Sequence, residues 1–192
     1  MSKGVVIILT GASSVGKGKI RDLLLEDKDL NLMFSISMTT RPPKAGEVDG
    51  KDYYFVSFKS FAEAIKNREL LEYTEFNGYY YGTPKNQIEF LIEHEKNVLI
   101  EVEAQGVGPL KLNMPDSIAF FVKPVSPDEL IEQINKVYGD GTASAENRIN
   151  KAKMDLELEP LFNNVVTNDD PEAAAARIKE VVMAEVNRRK EQ

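Results

Sequence analysis

An α/β fold, a parallel sheet flanked by helices, is what this 192-residue sequence predicts, and three observations carry the expectation. Short apolar runs bounded by turn signals recur along the chain, as strands buried on both faces of a parallel sheet require. Helical patterns lie between them, giving the alternation of βαβ units with right-handed crossovers. A glycine-rich segment ending in lysine, 11–17, sits where the first strand passes into the first helix.

The elements follow in order. Residues 5–10 form the first strand, 17–26 the first helix and 33–37 the second strand. The alternation then breaks between 41 and 82, where Tyr-rich segments at 53–57 and 79–81 enclose an extended run at 70–76 and a short helix near 58–67. Aromatic and β-branched residues favour extended strands, so this region reads as a small antiparallel insert carried by the core. Alternation resumes with a helix at 84–95, a strand at 98–102, a helix at 105–112, a strand at 118–122 and a helix at 127–137. Small and turn-forming residues at 138–144 predict a flexible loop able to act as a lid. A helix at 145–157, a strand at 165–167 and a helix at 171–189 complete the chain.

Composition excludes several chemistries. With 24 Lys+Arg against 31 Asp+Glu the net charge is −7, which argues against a general binder of nucleic acid or anionic membrane. Without cysteine there is no disulfide framework, thiolate zinc site or Cys nucleophile. The single His94, in Glu93-His94-Glu95-Lys96, reads as a solvated helix end and cannot build a paired-His zinc site. The first residues imitate a signal peptide, but their apolar run falls short of the roughly 7–15 residues required, and no run approaches the roughly 18 of a membrane span. The expectation is a cytoplasmic protein.

Gly11-Ala12-Ser13-Ser14-Val15-Gly16-Lys17 has the glycine and lysine spacing of a P-loop. Its glycines let successive N–H groups turn inward, the helix N-terminus adds positive potential, and Lys17 reaches β and γ phosphates. The hydroxyl expected after the lysine, a magnesium ligand, is replaced by Gly18, and Lys19 follows. A second phosphate clamp is offered by 37–53, where Arg41 suits bidentate contact and Lys44 supplies a point charge.

With these segments in hand, the sequence resembles the guanylate kinases of the nucleoside monophosphate kinase family over nearly its whole length. The resemblance rests on the P-loop, Ser37-Met38-Thr39-Thr40-Arg41-Pro42-Pro43, Gly46-Glu47-Val48-Asp49-Gly50-Lys51-Asp52-Tyr53, Tyr80-Tyr81-Gly82-Thr83-Pro84, Glu101-Val102-Glu103-Ala104-Gln105-Gly106 and Val165-Val166-Thr167-Asn168-Asp169-Asp170. It implies a P-loop NTPase-type core at 1–37 and 83–192 with a lid at about 137–150, a GMP-binding insert at 38–82, and ATP and GMP as substrates with Mg2+. By resemblance, Ser37, Glu72, Thr83 and Glu103 surround the guanine, and Arg41, Lys44, Tyr53 and Tyr81 hold the GMP phosphate. Residues Gly11, Ala12, Ser13, Ser14, Val15, Gly16, Lys17, Gly18, Lys19 and Asn168 bind ATP. Lys17, Arg41 and Arg148 are the catalytic cations, and Glu101 is an outer-sphere partner of the metal. A carboxylate such as Glu72 accepts both N–H donors of the guanine pairing edge and sets a repulsive acceptor against adenine.

The chain departs from the family pattern at Ser14, where glycine is common, at Lys19 for threonine, at Lys44 for arginine, and at Asp140, where an arginine usually lies between the two glycines. These departures bear on rate and metal dependence. They also give some weight to a second reading, a non-catalytic guanylate-kinase-like module that binds a phosphorylated partner. The phosphotransferase, acting on GMP and dGMP as a monomer or homodimer, is the reading the sequence supports.

Overall fold

The computed structural model describes residues 3–191. Met1, Ser2 and Gln192, which end the expected core segments, lie outside them. Strand β1 (Val6–Gly11) is buried at every position and forms the middle of a five-stranded parallel sheet with β2 (Leu32–Phe34), β7 (Asn97–Glu101), β8 (Ile118–Lys123) and β9 (Asn164–Thr167), in the order β2-β7-β1-β8-β9. Successive side chains of β1 point to opposite faces. Ile7 and Leu9 join a core with Ile20 and Leu24 of α1 (Lys17–Glu26), Leu130 and Ile134 of α5 (Pro127–Tyr138), Ala145 and Ala152 of α6 (Ala143–Glu157), and Ile178 of α7 (Pro171–Lys190). Val6 and Ile8 join the opposite core with Ile88 of α3 (Lys85–Glu93) and Leu110 of α4 (Val107–Asn113).

The region between β2 and α3 forms a second sheet, ordered β4-β3-β6-β5, from β3 (Met38–Thr39), β4 (Tyr54–Phe55), β5 (Leu70–Phe76) and β6 (Tyr79–Pro84), with α2 (Phe58–Lys66) between β4 and β5. The hairpin β5–β6 turns on Asn77 and Gly78, both at positive φ (52° and 77°), the geometry that an Asn-Gly pair accommodates. This sheet is mixed rather than antiparallel. Met38 and Thr39 pair in parallel with Tyr54 and Phe55 because the proline-containing loop between them carries the chain back to the end where β3 began.

A second difference concerns the lid. Tyr138 ends α5 and Ala143 begins α6, so the expected loop at 138–144 is a four-residue connection. Gly139 and Gly141 take positive φ, and Thr142 closes it: its hydroxyl donates to the Tyr138 and Gly139 carbonyls and accepts the Ala145 N–H. Asp170 caps α7 in the same way. Among the described residues no helix is long and apolar enough to cross a membrane.

Candidate active site

The P-loop leaves the carboxyl end of β1, where the chain passes on to β2 on one side of the sheet and later to β8 on the other; open α/β sheets place ligands at such a point. Gly11 is required there by geometry. At φ 143° its missing Cβ would lie 2.1 Å from the Val122 carbonyl oxygen on β8. Helices α2, α5, α6 and α7 each carry a side-chain cap, whereas α1, like α3 and α4, has none; its cap residue is Gly16, in the left-handed region. That end is left open to an anion. Ser14 takes φ 65° and its hydroxyl is buried without a partner.

Lys17 turns back into the loop, donating to the carbonyls of Gly11 and Ala12, each at 3.0 Å. Burial lowers its pKa, and the charges of Glu101 and Asp155 work against that shift. Asp155, on α6, accepts the Ser13 N–H at 2.9 Å, and burial raises its own pKa. Arg21, one turn along α1, donates to Glu101 at 3.2 Å and lies over the Phe34 ring at 5.3 Å.

Facing the P-loop across a cleft of about 770 Å³ is the second sheet. One wall carries Gly11, Ser13, Ser14 and Lys17; the other carries Ser37, Tyr53, Glu72 and Tyr81; Glu101, Glu103 and Arg148 lie in the same cleft. Glu72 is only 6% exposed and accepts a 2.6 Å hydrogen bond from the Thr83 hydroxyl, itself fully buried. Burial, with the charge of Glu103 adding to it, pushes the Glu72 pKa up to about 7. Glu103 accepts from Lys151 at 3.0 Å. Arg148 stacks on Tyr138 at 4.2 Å, which holds its guanidinium beside the α5–α6 connection.

Other predicted residues sit apart from that cleft. Arg41 does not line it: its guanidinium makes a two-pronged pair with Glu47 (2.8 and 2.9 Å), donates to the Pro42 carbonyl, and lies over Tyr53 and Phe55. The pair holds Glu47 at a pKa of about 2. Lys44 is exposed, and its backbone N–H is held by Glu47. Val15, Gly16 and Gly18 line a second cavity of about 620 Å³, with Ser14, Lys17 and residues of α5 on its walls. Ala12 is fully buried in the core, and Lys19 is exposed and lines neither space. Asn168 donates to the Val15 carbonyl at 2.7 Å, bracing the P-loop, and its buried Oδ1 has no partner.

A profile of the guanylate kinase family matches residues 3–185. The chain belongs to the guanylate kinase family. It is 41% identical over 190 residues to the guanylate kinase of Bacillus anthracis, covering 97% of this chain and 91% of that protein. It is 40% identical over 186 residues to the guanylate kinase of Lactococcus lactis subsp. lactis, covering 95% and 89%. Its fold is similar to the crystal structure of guanylate kinase from Anaplasma phagocytophilum, with a TM-score of 0.77 and 28% identity over 96% of this chain and 87% of that one.

Within this guanylate kinase fold, four charged residues outside the sequence-derived set line the cleft and bond to residues of that set. Arg21, Lys151 and Asp155 line the cleft, and so does Glu47, the partner of Arg41. Only Glu47 left a trace in the sequence, as an acid six residues after a loop arginine. The others are joined to their partners across 48 to 142 positions of chain. The cleft also bears on the metal. Among the described residues no group of three His, Cys, Asp or Glu side chains is placed to hold an ion, and Gly18 offers no hydroxyl. Glu101, which lines both the cleft and the second cavity together with Lys17, is the kind of oxygen donor that a Mg2+ carried on nucleotide phosphates would meet through water.

Proposed function

We propose that this guanylate kinase transfers the γ-phosphoryl of ATP to GMP, and to dGMP, across the cleft between the P-loop and the second sheet. The domain division that goes with this reading is a core at 1–37 and 83–192 with a lid at about 137–150, and a GMP-binding insert at 38–82. The observation that carries it is a single cleft bearing Gly11, Ser13, Ser14 and Lys17 of the P-loop on one wall and, on the other, Tyr53, Tyr81 and Glu72, which is bonded to Thr83.

The P-loop amides and Lys17 bind the ATP phosphates, and Asn168, which braces the P-loop at Val15, stands beside the adenine. Glu72 and Glu103, with Ser37 and Thr83, bind the guanine. Tyr53, Tyr81, Arg41 and Lys44 hold the GMP phosphate once the Arg41–Glu47 pair opens. A phosphate oxygen of GMP attacks the γ-phosphorus in line, the bond to the β-phosphate oxygen breaks, and Lys17 and Arg148 neutralise charge on the transferring group. Mg2+ on the phosphates, with Glu101 in its outer sphere, supplies charge neutralisation when bound. The same reading places the enzyme in the cytoplasm as a monomer or homodimer.

A coupled assay with MgATP and each of GMP, dGMP, AMP, CMP, UMP and dTMP tests it. ADP should form with GMP and dGMP alone. No ADP with any acceptor would overturn the reading and leave a binding module.

A further inference from the structure

Lys151 has no place in the scheme above, yet it occupies the middle of the cleft. Its ammonium donates to Glu103 Oε2 at 3.0 Å and lies 3.5 Å from Asp155 Oδ1. Asp155 in turn accepts the Ser13 N–H of the P-loop. The lysine therefore stands between the carboxylate assigned to guanine and the loop assigned to the ATP phosphates. It is also near enough to Lys17 for its charge to oppose protonation there. Arg148, one turn earlier on α6, lines the same cleft.

We propose that Lys151 is a further catalytic cation, released by guanine. In the free enzyme Glu103 and Asp155 hold it. When guanine N–H donors take Glu103, the ammonium loses its nearer partner and keeps only Asp155, at 3.5 Å, so its flexible four-carbon stem is free to carry it onto the oxygens of the γ-phosphoryl. It donates hydrogen bonds to non-bridging oxygens as charge moves during transfer and gives up no proton; the bonds made and broken are those already stated. Asp155, fixed to the P-loop amide, keeps the lysine from swinging into solvent. Transfer is thereby coupled to occupancy of the guanine site, because a cation needed for the reaction is engaged elsewhere until GMP arrives. This inference rests on the guanine assignment of Glu103.

Two variants test it, read by turnover, by GMP affinity in the absence of ATP, and by GMP-independent ATP hydrolysis. Lys151→Met should lower kcat about 100-fold, as loss of one transition-state donor does, while the Kd for GMP stays within threefold or tightens. Lys151→Arg should recover at least a tenth of the wild-type kcat, which guards against misfolding of the methionine variant. Glu103→Gln, which frees the lysine without guanine, should raise GMP-independent hydrolysis several-fold. A Lys151→Met enzyme with normal kcat and weakened GMP binding would make the lysine a strut for Glu103 and overturn the proposal. Unchanged hydrolysis in Glu103→Gln would overturn the release. Failure of the wild-type protein to phosphorylate GMP would instead remove the assignment beneath it.

Discussion

Under the proposed guanine assignment Glu72 joins stability to specificity in one side chain, and Glu72→Gln separates them. Its pKa is about 7 in the folded protein against 4.5 for an ordinary glutamate. Between those values the native state holds a proton that the unfolded chain has lost, so stability is fully present below pH 4.5 and is lost as pH rises through 7. The shift of 7 − 4.5 = 2.5 units corresponds to about 3 kcal/mol at roughly 1.4 kcal/mol per unit. Glutamine keeps an oxygen for the Thr83 hydroxyl and has no charge to bury. The variant should match the wild type near pH 4.5 and exceed it by about 3 kcal/mol at pH 8. Urea unfolding followed by circular dichroism across that range measures the difference, since the chain has no tryptophan. GMP binding should weaken about 100-fold, because an amide N–H2 replaces an acceptor for two guanine donors, while ATP affinity is unchanged. A stability difference that stays flat between pH 5 and 8 would refute the account of Glu72 as a buried, costly carboxylate. A large loss of ATP binding would refute its assignment to guanine.

Ser14→Gly should stabilise the protein by about 1 kcal/mol, since a non-glycine residue at φ 65° and a buried unpartnered hydroxyl are both removed; an unchanged or lower urea midpoint would count against it. Gly11→Ala should cost about 3 kcal/mol or prevent folding, because the new methyl meets the β8 backbone at 2.1 Å; a wild-type midpoint would show that the strand end yields. Glu47→Gln should lower the KM for GMP several-fold with the KM for ATP unchanged, as the charged two-pronged pair that must open before Arg41 takes the phosphate is weakened. With the Glu47 pKa near 2, that effect should be constant from pH 5 to 8, and a pH-dependent KM difference would point to another group.

The parts of the fold visible in the sequence are those that repeat a pattern over many residues. Strand β1 is buried throughout and reads as an unbroken apolar run, and the glycine-lysine spacing marks the P-loop. The parallel pairing of β3 with β4 was not visible, because two-residue strands carry no period, and the loop between them sets their direction. The α5–α6 connection reads as a long loop in composition, since Gly, Asp, Ser and Thr favour turns, yet Thr142 spends its hydroxyl on capping and lets helix resume one residue later. The site divides in the same way. Residues on recurring segments were named, whereas the side chains that hold them arrive from distant helices: Lys151 meets Glu103 across 48 positions and Arg21 meets Glu101 across 80.

Those distant partners share a property that local patterns do not express, which is charge balance. Arg21 holds Glu101, Arg41 holds Glu47 and Lys151 holds Glu103, while Lys17 donates to its own loop between two carboxylates. A cleft made to receive several phosphate charges is thus neutralised from within. Leaving such cations uncompensated in partly buried surroundings would cost far more than the fold can supply, so Arg21, Arg41 and Lys151 each rest on a carboxylate, which a nucleotide phosphate replaces under the proposed function. Binding then exchanges one anion for another, and the free energy gained is the difference between a phosphate and the carboxylate it displaces. In a chain of net charge −7, nucleotides gain little from long-range attraction. Discrimination must therefore come from short contacts, which is why a single buried carboxylate such as Glu72 can decide which base is accepted.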